Sequence, residues 1–511
     1  MAIPSLAMIP SGYKDGKVYS VLPTNGDGDF TFSRGSNATR VNKDGLIETM
    51  PLELGSELIV NGDFSNGLTD WTENGGSYAT IVSGALNSNN TNSGSWHSEN
   101  ISQDVSFVNN KVYLASFKAR NVSGNSNLRI TQGANVIFTT NLTSSFVDYE
   151  VFYTANADNG SIRIFCNDSV GQFEIDNVSV KEVISGLDLP RLDYTDSSCP
   201  SLLLEPQSTN LVEYSEDFSE WNKTSGATTT SDYGVSPSGL QDSTRVQFST
   251  SNEQIYIGSG THSGNTEVAS LYIKGVSGES IQFGVGTNTA QGTTITLNGN
   301  WQRITQESTS GSVLIIGNYS ATATDFEIWG AQLEEQSYAT SYIPTNGSVQ
   351  TRLADECNGA GNASTFNDSE GVLYAEISAL ADDTTDRSVS ISDGTTSNTI
   401  RIEYLTVSNA IWAVVTNTST GGNQAILQYT SPDITINNKV AIKYKENDFS
   451  LYVNGIEVAT DTSGVTFSTN TLNTLSFNRG NVDRDFYGKV KDVRYYNTAL
   501  TDAELEELTT L

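Results

Sequence analysis

Ile59-Val-Asn-Gly-Asp-Phe-Ser-Asn-Gly-Leu-Thr-Asp-Trp71 has a counterpart later in the chain, Glu213-Tyr-Ser-Glu-Asp-Phe-Ser-Glu-Trp221. The matching residues Asp63 and Asp217 are 154 positions apart (217 − 63 = 154). Two more pairs of blocks follow in the same order: Ala115–Ser126 with Ala269–Ser280, and Phe173-Glu-Ile-Asp-Asn-Val-Ser-Val180 with Phe326-Glu-Ile-Trp-Gly-Ala-Gln-Leu333. Three matched blocks in one order indicate two homologous domains.

Short runs of alternating apolar and polar residues fill each copy. Examples are Ser161-Ile-Arg-Ile-Phe165 and Ser280-Ile-Gln-Phe-Gly-Val285, and clusters of Gly, Asn and Ser separate such runs. Alternation with a period of two predicts antiparallel strands of a sandwich. We expect the first and last strands of each copy to pair, as they do in jelly rolls, where this pairing protects the sheet edges.

The composition suits a chain of several β-domains. At roughly 100 to 200 residues per domain, 511 residues predict about three units. Apolar residues make up 36% and charged residues 17%, and the remainder is rich in Ser, Thr, Asn and Gly, which argues against disorder. The 22 Tyr, 19 Phe and 6 Trp suit the pleated, half-buried surfaces of sheets.

The net charge of −32, from 59 acidic and 27 basic residues, restricts the partners. Nucleic acid and anionic membranes need a basic footprint, so we expect neither. No window approaches the ~20 apolar residues that span a bilayer, so no membrane insertion is expected. The acidity is interpreted as a solvated surface, with calcium sites as the alternative.

The C-terminal segment has strand runs of a different kind, such as Val372–Ile377 and Ile411-Trp-Ala-Val-Val415. Trp412 lies between apolar neighbours in the second run and is predicted to be part of the core. Asn454-Gly455 predicts a type I′ hairpin turn. The last stretch predicts a short helix, because Thr501 can cap it, Glu504 stands at capping-box spacing, and Leu505 and Leu508 share one face.

Two family resemblances follow from these motifs. Gly488-Lys-Val-Lys-Asp-Val-Arg-Tyr-Tyr-Asn-Thr-Ala-Leu-Thr-Asp-Ala-Glu-Leu-Glu-Glu-Leu508 resembles the closing signature of concanavalin A-like, laminin-G-type jelly rolls. The two repeats resemble galactose-binding-like carbohydrate-binding modules, which open with Asn-Gly-Asp-Phe…Trp and close with Phe-Glu-Ile-Asp-Asn-Val. The predicted fold class is therefore all-β: three tandem antiparallel β-sandwich or jelly-roll domains, with a small N-terminal module and a short C-terminal helix.

The N-terminal segment resembles a module that recurs in phage tail and head-appendage proteins. The resemblance is carried by Phe30–Glu48, Leu189–Tyr194 and Cys199–Leu211. In that family the two halves lie close together, whereas here they are far apart, so the first carbohydrate-binding-like domain is interpreted as an insertion. The predicted domains are an N-terminal virion or assembly module, 1–50, which residues 189–211 complete, and an inserted carbohydrate-binding jelly roll, 51–187. A linker, 188–211, contains the second half of the N-terminal module. The second repeat, 212–346, and the concanavalin A-like domain, 347–511, follow.

Candidate binding residues follow from the aromatic residues and from the resemblance. Trp71 and Trp221 occupy equivalent repeat positions and are predicted to be core, whereas Trp96 and His97 end a polar loop and are candidates for glycan contact. The resemblance implies a structural calcium between the opening and closing strands, where Asp63 and Asp176 match. In the second repeat Trp329 replaces the closing aspartate, so that site is expected to be lost.

Sequence motifs of catalysis are missing or incomplete. Hydrolases of the concanavalin A-like fold carry Glu-x-Asp-x-x-Glu, and the nearest match, Glu446-Asn-Asp448, is followed by Leu451 at the final position. The two histidines, His97 and His262, show no metal or triad spacing. We therefore expect no enzymatic activity. Cys166, Cys199 and Cys357 form no pairing motif and are predicted to be buried free thiols.

The function predicted from the sequence is that of a bacteriophage virion protein, a tail-fibre or capsid-appendage (head fibre or decoration) subunit that contacts host-surface polysaccharide. Its expected partners are other virion proteins and further copies of itself, with trimers common among resembling fibres. The N-terminus has no signal-peptide pattern, so synthesis in the host cytoplasm and residence on the particle surface are expected. The alternatives are a secreted bacterial glycan-binding adhesin and a capsule depolymerase.

Overall fold

The computed structural model describes residues 2–76, 78–90, 100–124, 127–166, 171–195, 197–258, 266–286, 292–309, 313–319, 321–480 and 483–511. Strands dominate this part of the chain, which contains a single eight-residue α-helix near its end. The predicted all-β class, with sandwich sheets and a short C-terminal helix, is confirmed. None of the described helices is long and apolar enough to cross a bilayer.

Six short strands form the N-terminal segment. They are β1 (Leu6–Met8), β2 (Tyr13–Lys14), β3 (Lys17–Val18), β4 (Phe30–Ser33), β5 (Thr39–Val41) and β6 (Ile47–Thr49). The last two form a hairpin with Thr39 opposite Thr49, called here the N-terminal hairpin.

The first repeat is a sandwich of two antiparallel sheets. Its strands are β7 (Glu53–Glu57), β8 (Thr72–Asn74), β9 (Ala79–Val82), β10 (Ala85–Asn90), β11 (Asn100–Val105), β12 (Val112–Gly124), β13 (Asn127–Gln132), β14 (Asn135–Asn141), β15 (Val147–Thr154), β16 (Gly160–Cys166) and β17 (Gly171–Ser185). One sheet has the order β15-β12-β17-β10-β9, and the other has the order β14-β13-β16-β11-β8. The opening strand β7 pairs with the closing strand β17, which is the edge-protecting arrangement of a jelly roll.

The second repeat has the same architecture. Three connecting strands precede it: β18 (Arg191–Asp193), β19 (Ser201–Leu204) and β20 (Ser208–Asn210). Its own strands are β21 (Asn222–Lys223), β22 (Ala227–Thr230), β23 (Thr244–Phe248), β24 (Gln254–Gly258), β25 (Glu267–Gly275), β26 (Ser280–Gly286), β27 (Thr293–Thr296), β28 (Gln302–Ser308), β29 (Val313–Gly317) and β30 (Asp325–Glu334). They form the sheets β22-β23-β30-β25-β28 and β21-β24-β29-β26-β27.

The C-terminal domain completes the chain. Its elements are β31 (Gln350–Arg352), β32 (Glu356–Asn358), β33 (Glu370–Ala379), β34 (Arg387–Ser392), β35 (Asn398–Tyr404), β36 (Ala410–Asn417), β37 (Gly422–Thr430), β38 (Asn438–Lys445), β39 (Phe449–Val453), β40 (Ile456–Asp461), β41 (Thr474–Ser476), β42 (Gly488–Tyr496) and α1 (Asp502–Thr509), with a 3₁₀ turn at Thr418–Thr420. Two sheets, β18-β19-β42-β33-β38-β39-β40 and β37-β36-β35-β34-β41, enclose its core.

The hairpin turn and the helix cap predicted near the end of the chain are confirmed. Asn454 and Gly455 both have positive φ, 50° and 82°, as a type I′ turn requires. Thr501 caps α1 in a complete capping box with Glu504. Leu505 and Leu508 are buried against the outer face of the sheet that contains β33 and β38, so the helix covers that face.

The N-terminal segment is built into the C-terminal domain instead of standing beside it. β1 pairs with the last strand β42, with Leu6 opposite Tyr495, and β4 pairs with β32. β19 adds to the other part of β42, with Leu202 opposite Val490. Apolar side chains of these strands, Leu6 and Phe30 among them, enter the same core as the C-terminal sandwich. The predicted separate module and the C-terminal domain therefore share one core.

The two ends of the first repeat meet where the chain leaves and returns. Gly186 has a φ of +112°, and an added Cβ there would lie 2.3 Å from the carbonyl oxygen of Pro51, so this contact requires glycine. Two residues later the Asp188 carboxylate accepts hydrogen bonds from the Arg34 and Gly35 amides at 2.7 and 2.8 Å. The chain thus resumes the N-terminal segment at the point where it departed.

The two repeats differ on one equivalent face. In the first repeat Lys118 stands opposite Asp176 and their side chains form an ion pair at 3.1 Å. The equivalent pair in the second repeat is Tyr272 opposite Trp329, whose ring centroids are 5.7 Å apart. Ile47 of the N-terminal hairpin packs into this aromatic cluster. Trp329, which stands where the first repeat has Asp176, is thus part of the surface on which the N-terminal hairpin packs.

A buried ionic network joins the N-terminal segment and its linker 188–211 to the C-terminal domain, and Ser341 of the second repeat hydrogen-bonds to Arg191 and Glu205 of this network. Arg191 pairs with Asp355 and, at 2.6 Å, with Glu205. Arg34 pairs with Asp355 at 3.2 Å, and Arg352 pairs with Glu205 at 2.8 Å. Each of these five side chains is at most 3% exposed. Glu205 and Arg191 belong to the segments that resemble the phage-appendage module, so these motifs form a structural junction.

Because of this buried network, we expect the free energy of unfolding to fall in acid. Burial alone would raise the pKa of Glu205, but Arg352, Arg191 and the hydrogen bonds from Ser341 outweigh it and lower the pKa to about 2. A carboxyl group whose pKa is lower in the folded than in the unfolded state stabilises the folded protein at pH values above its unfolded pKa. This contribution is lost as the pH falls towards the pKa of the folded state. In urea titrations, wild type should lose stability between about pH 4.5 and pH 2 more steeply than Glu205→Gln. Equal slopes for the two proteins would contradict this role of Glu205.

All three cysteines lie in the described part of the chain, and none of them forms a disulfide. Cys166 and Cys357 are buried, as predicted. The prediction is wrong for Cys199, which is exposed because it lies in the bend before β19, where the chain has not yet entered the core.

Candidate functional site

The tryptophans of the repeat motif are core residues, as predicted. Trp71 is 7% exposed and Trp221 is 2% exposed. Each packs on the phenylalanine of its own motif, with centroid distances of 5.4 Å to Phe64 and 4.9 Å to Phe218. Their indole N–H groups donate to backbone carbonyls, so the rings fix the opening loop and are unavailable to a ligand. Trp96 and His97, the predicted glycan contacts, lie outside the described residues.

The predicted calcium residues lie at the junction of the opening loop and the closing strand. Val178 donates to the Gly62 carbonyl at 2.9 Å, which holds these two segments together. The Asp63 carboxylate, however, accepts from the Ser65 amide and hydroxyl, and Asp176 is paired with Lys118. Among the described residues no three acidic, histidine or cysteine side chains are placed to share a metal ion. The calcium site stays a prediction.

The incomplete hydrolase motif does not lie on one strand. Glu446 and Asp448 fall in the turn between β38 and β39, and Asp448 pairs with Lys443 at 2.8 Å. Leu451, at the third motif position, is fully buried in the core.

A cavity of about 720 Å³ opens where the first repeat, the second repeat, the N-terminal segment and β31 of the C-terminal domain meet. Its lining is acidic, with Asp148, Glu150, Glu216, Asp217, Asp232 and Asp242. Burial raises the pKa of Glu216, which accepts a hydrogen bond from the Tyr342 hydroxyl at 2.7 Å. The cavity owes its shape to the packing of these four units.

A smaller cavity, of about 240 Å³, lies on the outer face of the β34–β37 sheet in the C-terminal domain. We call it the Trp412 groove, and its lining residues are Asp386, Arg401, Glu403, Leu405, Thr406, Trp412, Val414, Asn423, Ile426, Arg479 and Arg484. Because α1 covers the outer face of the other sheet, the groove lies on the side of the domain opposite the helix.

Strand register explains how the groove is assembled. Glu403, Trp412 and Gln428 stand side by side on β35, β36 and β37. Arg401, Val414 and Ile426 form the next row on the same face. Ile426 is 45% exposed and Trp412 is half-buried, so an apolar floor is open to solvent beside charged groups.

Residues 478–480 and 483–486 form one wall of the groove, to which they contribute Arg479 and Arg484. The Ser390 hydroxyl donates to the Asn478 carbonyl at 2.6 Å and accepts from the Gly480 amide at 3.1 Å. The Ser388 amide donates to the Arg484 carbonyl at 2.9 Å. These bonds fix residues 478–480 and Arg484 across β34, which brings Arg479 and Arg484 over the strand face.

Planar polar side chains line the groove together with Trp412. Glu403 is 2% exposed, and both Arg401 and Arg484 contact its Oε1 at 3.0 Å. Arg401 also donates to the hydroxyls of Thr399 and Thr416 at 2.6 and 2.7 Å. Burial lowers the pKa of Arg401, and repulsion from Arg479 and Arg484 lowers it further. The groups are thus held in fixed orientations before any ligand arrives.

The prediction that Trp412 belongs to the core is wrong. Ile411 and Ala413 point into the sandwich, and strand alternation places Trp412 on the opposite face. The alternation Ile411, Ala413, Val415 was the signal that could have revealed this. The apolar neighbours in sequence concealed it, because in a strand those neighbours face the other way.

Comparisons with family models agree with the domain resemblances. Residues 56–169 match the family described as "Carbohydrate binding domain", and residues 362–506 match the "Concanavalin A-like lectin/glucanases superfamily". The chain therefore contains a carbohydrate-binding module and a concanavalin A-like domain, and its domains point to glycan binding as its class of function. A search of curated proteins finds no match.

Solved structures give distant likenesses. The CBM40 domain of the Ruminococcus gnavus IT-sialidase, bound to α2,3-sialyllactose, is 19% identical and aligns over 30% of this chain and 93% of its own, with a TM-score of 0.26. The tandem CBM22 domains of Paenibacillus barcinonensis Xyn10C are 14% identical over 59% of this chain and 98% of theirs, with a TM-score of 0.23. With scores this low, neither likeness bears on function.

Proposed function

We propose that this protein is a glycan-binding structural subunit of a bacteriophage virion, a tail-fibre or capsid appendage that contacts host-surface polysaccharide. The observation that supports glycan binding best is the Trp412 groove. The open face of a half-buried indole can lie under the apolar face of a sugar ring, and fixed polar groups beside it can bond the ring hydroxyls. The match of residues 56–169 to a carbohydrate-binding domain points to the same class of ligand.

The virion role is supported by the resemblance of Phe30–Glu48 and Cys199–Leu211 to a module of phage appendage proteins. Leu202 and Leu204 lie in the C-terminal core, while the carboxamide of Asn210 donates to the carbonyls of Ala331 and Ile343 in the second repeat. The module thereby connects the second repeat to the C-terminal domain. Rigid display suits an appendage, whose individually weak sugar contacts gain strength when several copies bind together.

A cell-binding assay tests the glycan half of this proposal. Fluorescently labelled full-length protein, coupled to beads at high density, should be retained by host cells and by polysaccharide extracted from them. Enzymatic stripping of the surface polysaccharide should abolish retention. Beads that bind neither intact cells nor the extract would refute glycan binding.

A further inference from the structure

The charges of the Trp412 groove are balanced inside the protein. Each of its three arginines has a carboxylate partner of its own: Arg401 with Glu403 at 3.0 Å, Arg484 with Asp386 at 3.1 Å, and Arg479 with Asp483 through two bonds of 2.8 and 2.6 Å. Guanidinium–carboxylate pairs of this kind are strong, charge-assisted contacts. The groove therefore presents no net charge for a ligand to neutralise.

The indole N–H of Trp412 is a hydrogen-bond donor that the protein does not use. The indole N–H groups of Trp71, Trp221 and Trp301 each donate to a backbone carbonyl. Trp412 is half-buried and lines the groove, and none of the described residues accepts from its N–H. Most polar groups that are shielded from solvent have a partner, so this donor is free to bind a ligand.

Glu403 provides an unused acceptor beside this donor. Arg401 and Arg484 both contact the same carboxylate oxygen, Oε1, at 3.0 Å. Within the described part of the chain, no group donates to the other oxygen, Oε2. Glu403 is 2% exposed, and it stands directly opposite Trp412 on the neighbouring strand, with both side chains lining the groove. An open donor and an open acceptor therefore lie side by side.

A sugar hydroxyl matches this pair, because it carries one donor hydrogen and two acceptor lone pairs. Hydroxyls of one sugar can accept from the indole N–H and donate to Glu403 Oε2, while the apolar face of the ring covers the floor at Trp412 and Ile426. An ammonium group only donates and would leave the indole N–H unpaired. A ligand carboxylate only accepts, and it would bring a second negative charge against Glu403.

We propose that the Trp412 groove binds an uncharged sugar residue, whose hydroxyls bond the Trp412 indole N–H and the Glu403 carboxylate. This inference rests on the proposed glycan-binding function and specifies the ligand class of that site. The volume of about 240 Å³ suits one sugar residue of a longer chain. The net charge of −32 acts in the same direction, because it repels anionic ligands that approach the protein.

Calorimetric titration of the full-length protein tests the ligand class. The uncharged probes are cellotriose, maltotriose, mannotriose and galactotriose, and the counterpart of each is the same trisaccharide with its C6 hydroxymethyl groups oxidised to carboxylates. We expect at least one uncharged probe to bind about tenfold more tightly than its oxidised counterpart. Binding of that uncharged probe should not change as salt is added, because salt screens only interactions between charges.

Two variants of Trp412 test the site. Trp412→Ala removes both the apolar platform and the N–H, and should weaken binding of the uncharged probe by about tenfold or more. Trp412→Phe keeps an aromatic ring without the N–H, and should weaken binding by about threefold to tenfold. Tyr233→Ala is the matched control, because Tyr233 is an aromatic residue of the second repeat that is 46% exposed. The control should bind as wild type does, and circular dichroism should show all three variants folded.

A third variant tests why a carboxylate is rejected. Glu403→Gln removes the negative charge but keeps an acceptor oxygen, so the preference for the uncharged probe should fall from about tenfold towards equal affinity. An unchanged preference would show that Glu403 does not set the ligand class. Glu403 also holds Arg401 and Arg484, so thermal unfolding must show that this variant is folded. If it is not, the comparison of wild type with Trp412→Phe decides the proposal.

Each contrary outcome overturns a defined part. Equal or tighter binding of the oxidised probes overturns the uncharged class. Wild-type affinity of Trp412→Ala for the uncharged probe overturns the site, and wild-type affinity of Trp412→Phe overturns the bond to the indole N–H. Failure of the wild-type protein to bind any of the probes overturns this inference, and the proposed function falls with it only if host polysaccharide is not retained either.

Discussion

Replacement of Arg191 by alanine is expected to lower the free energy of unfolding by about 3–5 kcal/mol. Arg191 is fully buried and is the shared partner of Asp355 and Glu205. Its loss relieves repulsion with Arg34, but it leaves two buried carboxylates with weaker compensation. Contacts between opposite charges at hydrogen-bonding distance outweigh the more distant repulsion, so the net effect is destabilising.

Urea titration followed by tryptophan fluorescence measures this effect. Arg245→Ala provides the control, because its ion pair with Asp325 lies at the surface, where such pairs contribute little. The control should unfold as wild type does. If Arg191→Ala also unfolded at the wild-type urea concentration, the network would not hold the three units together.

Replacement of Trp329 by alanine should cost about 3–5 kcal/mol, the range for large aromatic side chains removed from a core. Trp329 is 3% exposed and lies 4.6 Å from Tyr342 between ring centroids. Its ring also supports Ile47 of the N-terminal hairpin. The hairpin should therefore detach from the second repeat before the repeat itself unfolds.

Hydrogen exchange can resolve the two steps. Amides of Thr39–Val41 and Ile47–Thr49 should exchange faster in Trp329→Ala, while the paired strands β12 and β17 of the first repeat keep their protection. Phe146→Ala is the control, since Phe146 is an aromatic residue of the first repeat that is 37% exposed. Unchanged exchange of the hairpin in Trp329→Ala would show that this cluster does not anchor it.

Short-range patterns predicted much of the fold. Alternation located the strands of both repeats, the turn signal Asn454-Gly455 located a hairpin, and Thr501 with Glu504 located the start of α1. These features depend on residues close together in sequence. The buried positions of Trp71 and Trp221 followed from their repetition at equivalent places.

Long-range pairing could not be predicted in the same way. Leu6 pairs with Tyr495, and no local pattern in a three-residue strand specifies a partner at the other end of the chain. The face of Trp412 was knowable from alternation, but its value as a site depended on Arg479 and Arg484. Those arginines reach the groove because Asn478, Gly480 and Arg484 are hydrogen-bonded across β34.

The virion role is tested most directly by immunogold labelling of phage particles purified from the culture that produces the protein, with antibody raised against residues 347–511. Gold is expected at the tail tip or on projections from the capsid. Unlabelled particles, with the protein free in the medium or on cell envelopes, would contradict it and favour a secreted adhesin.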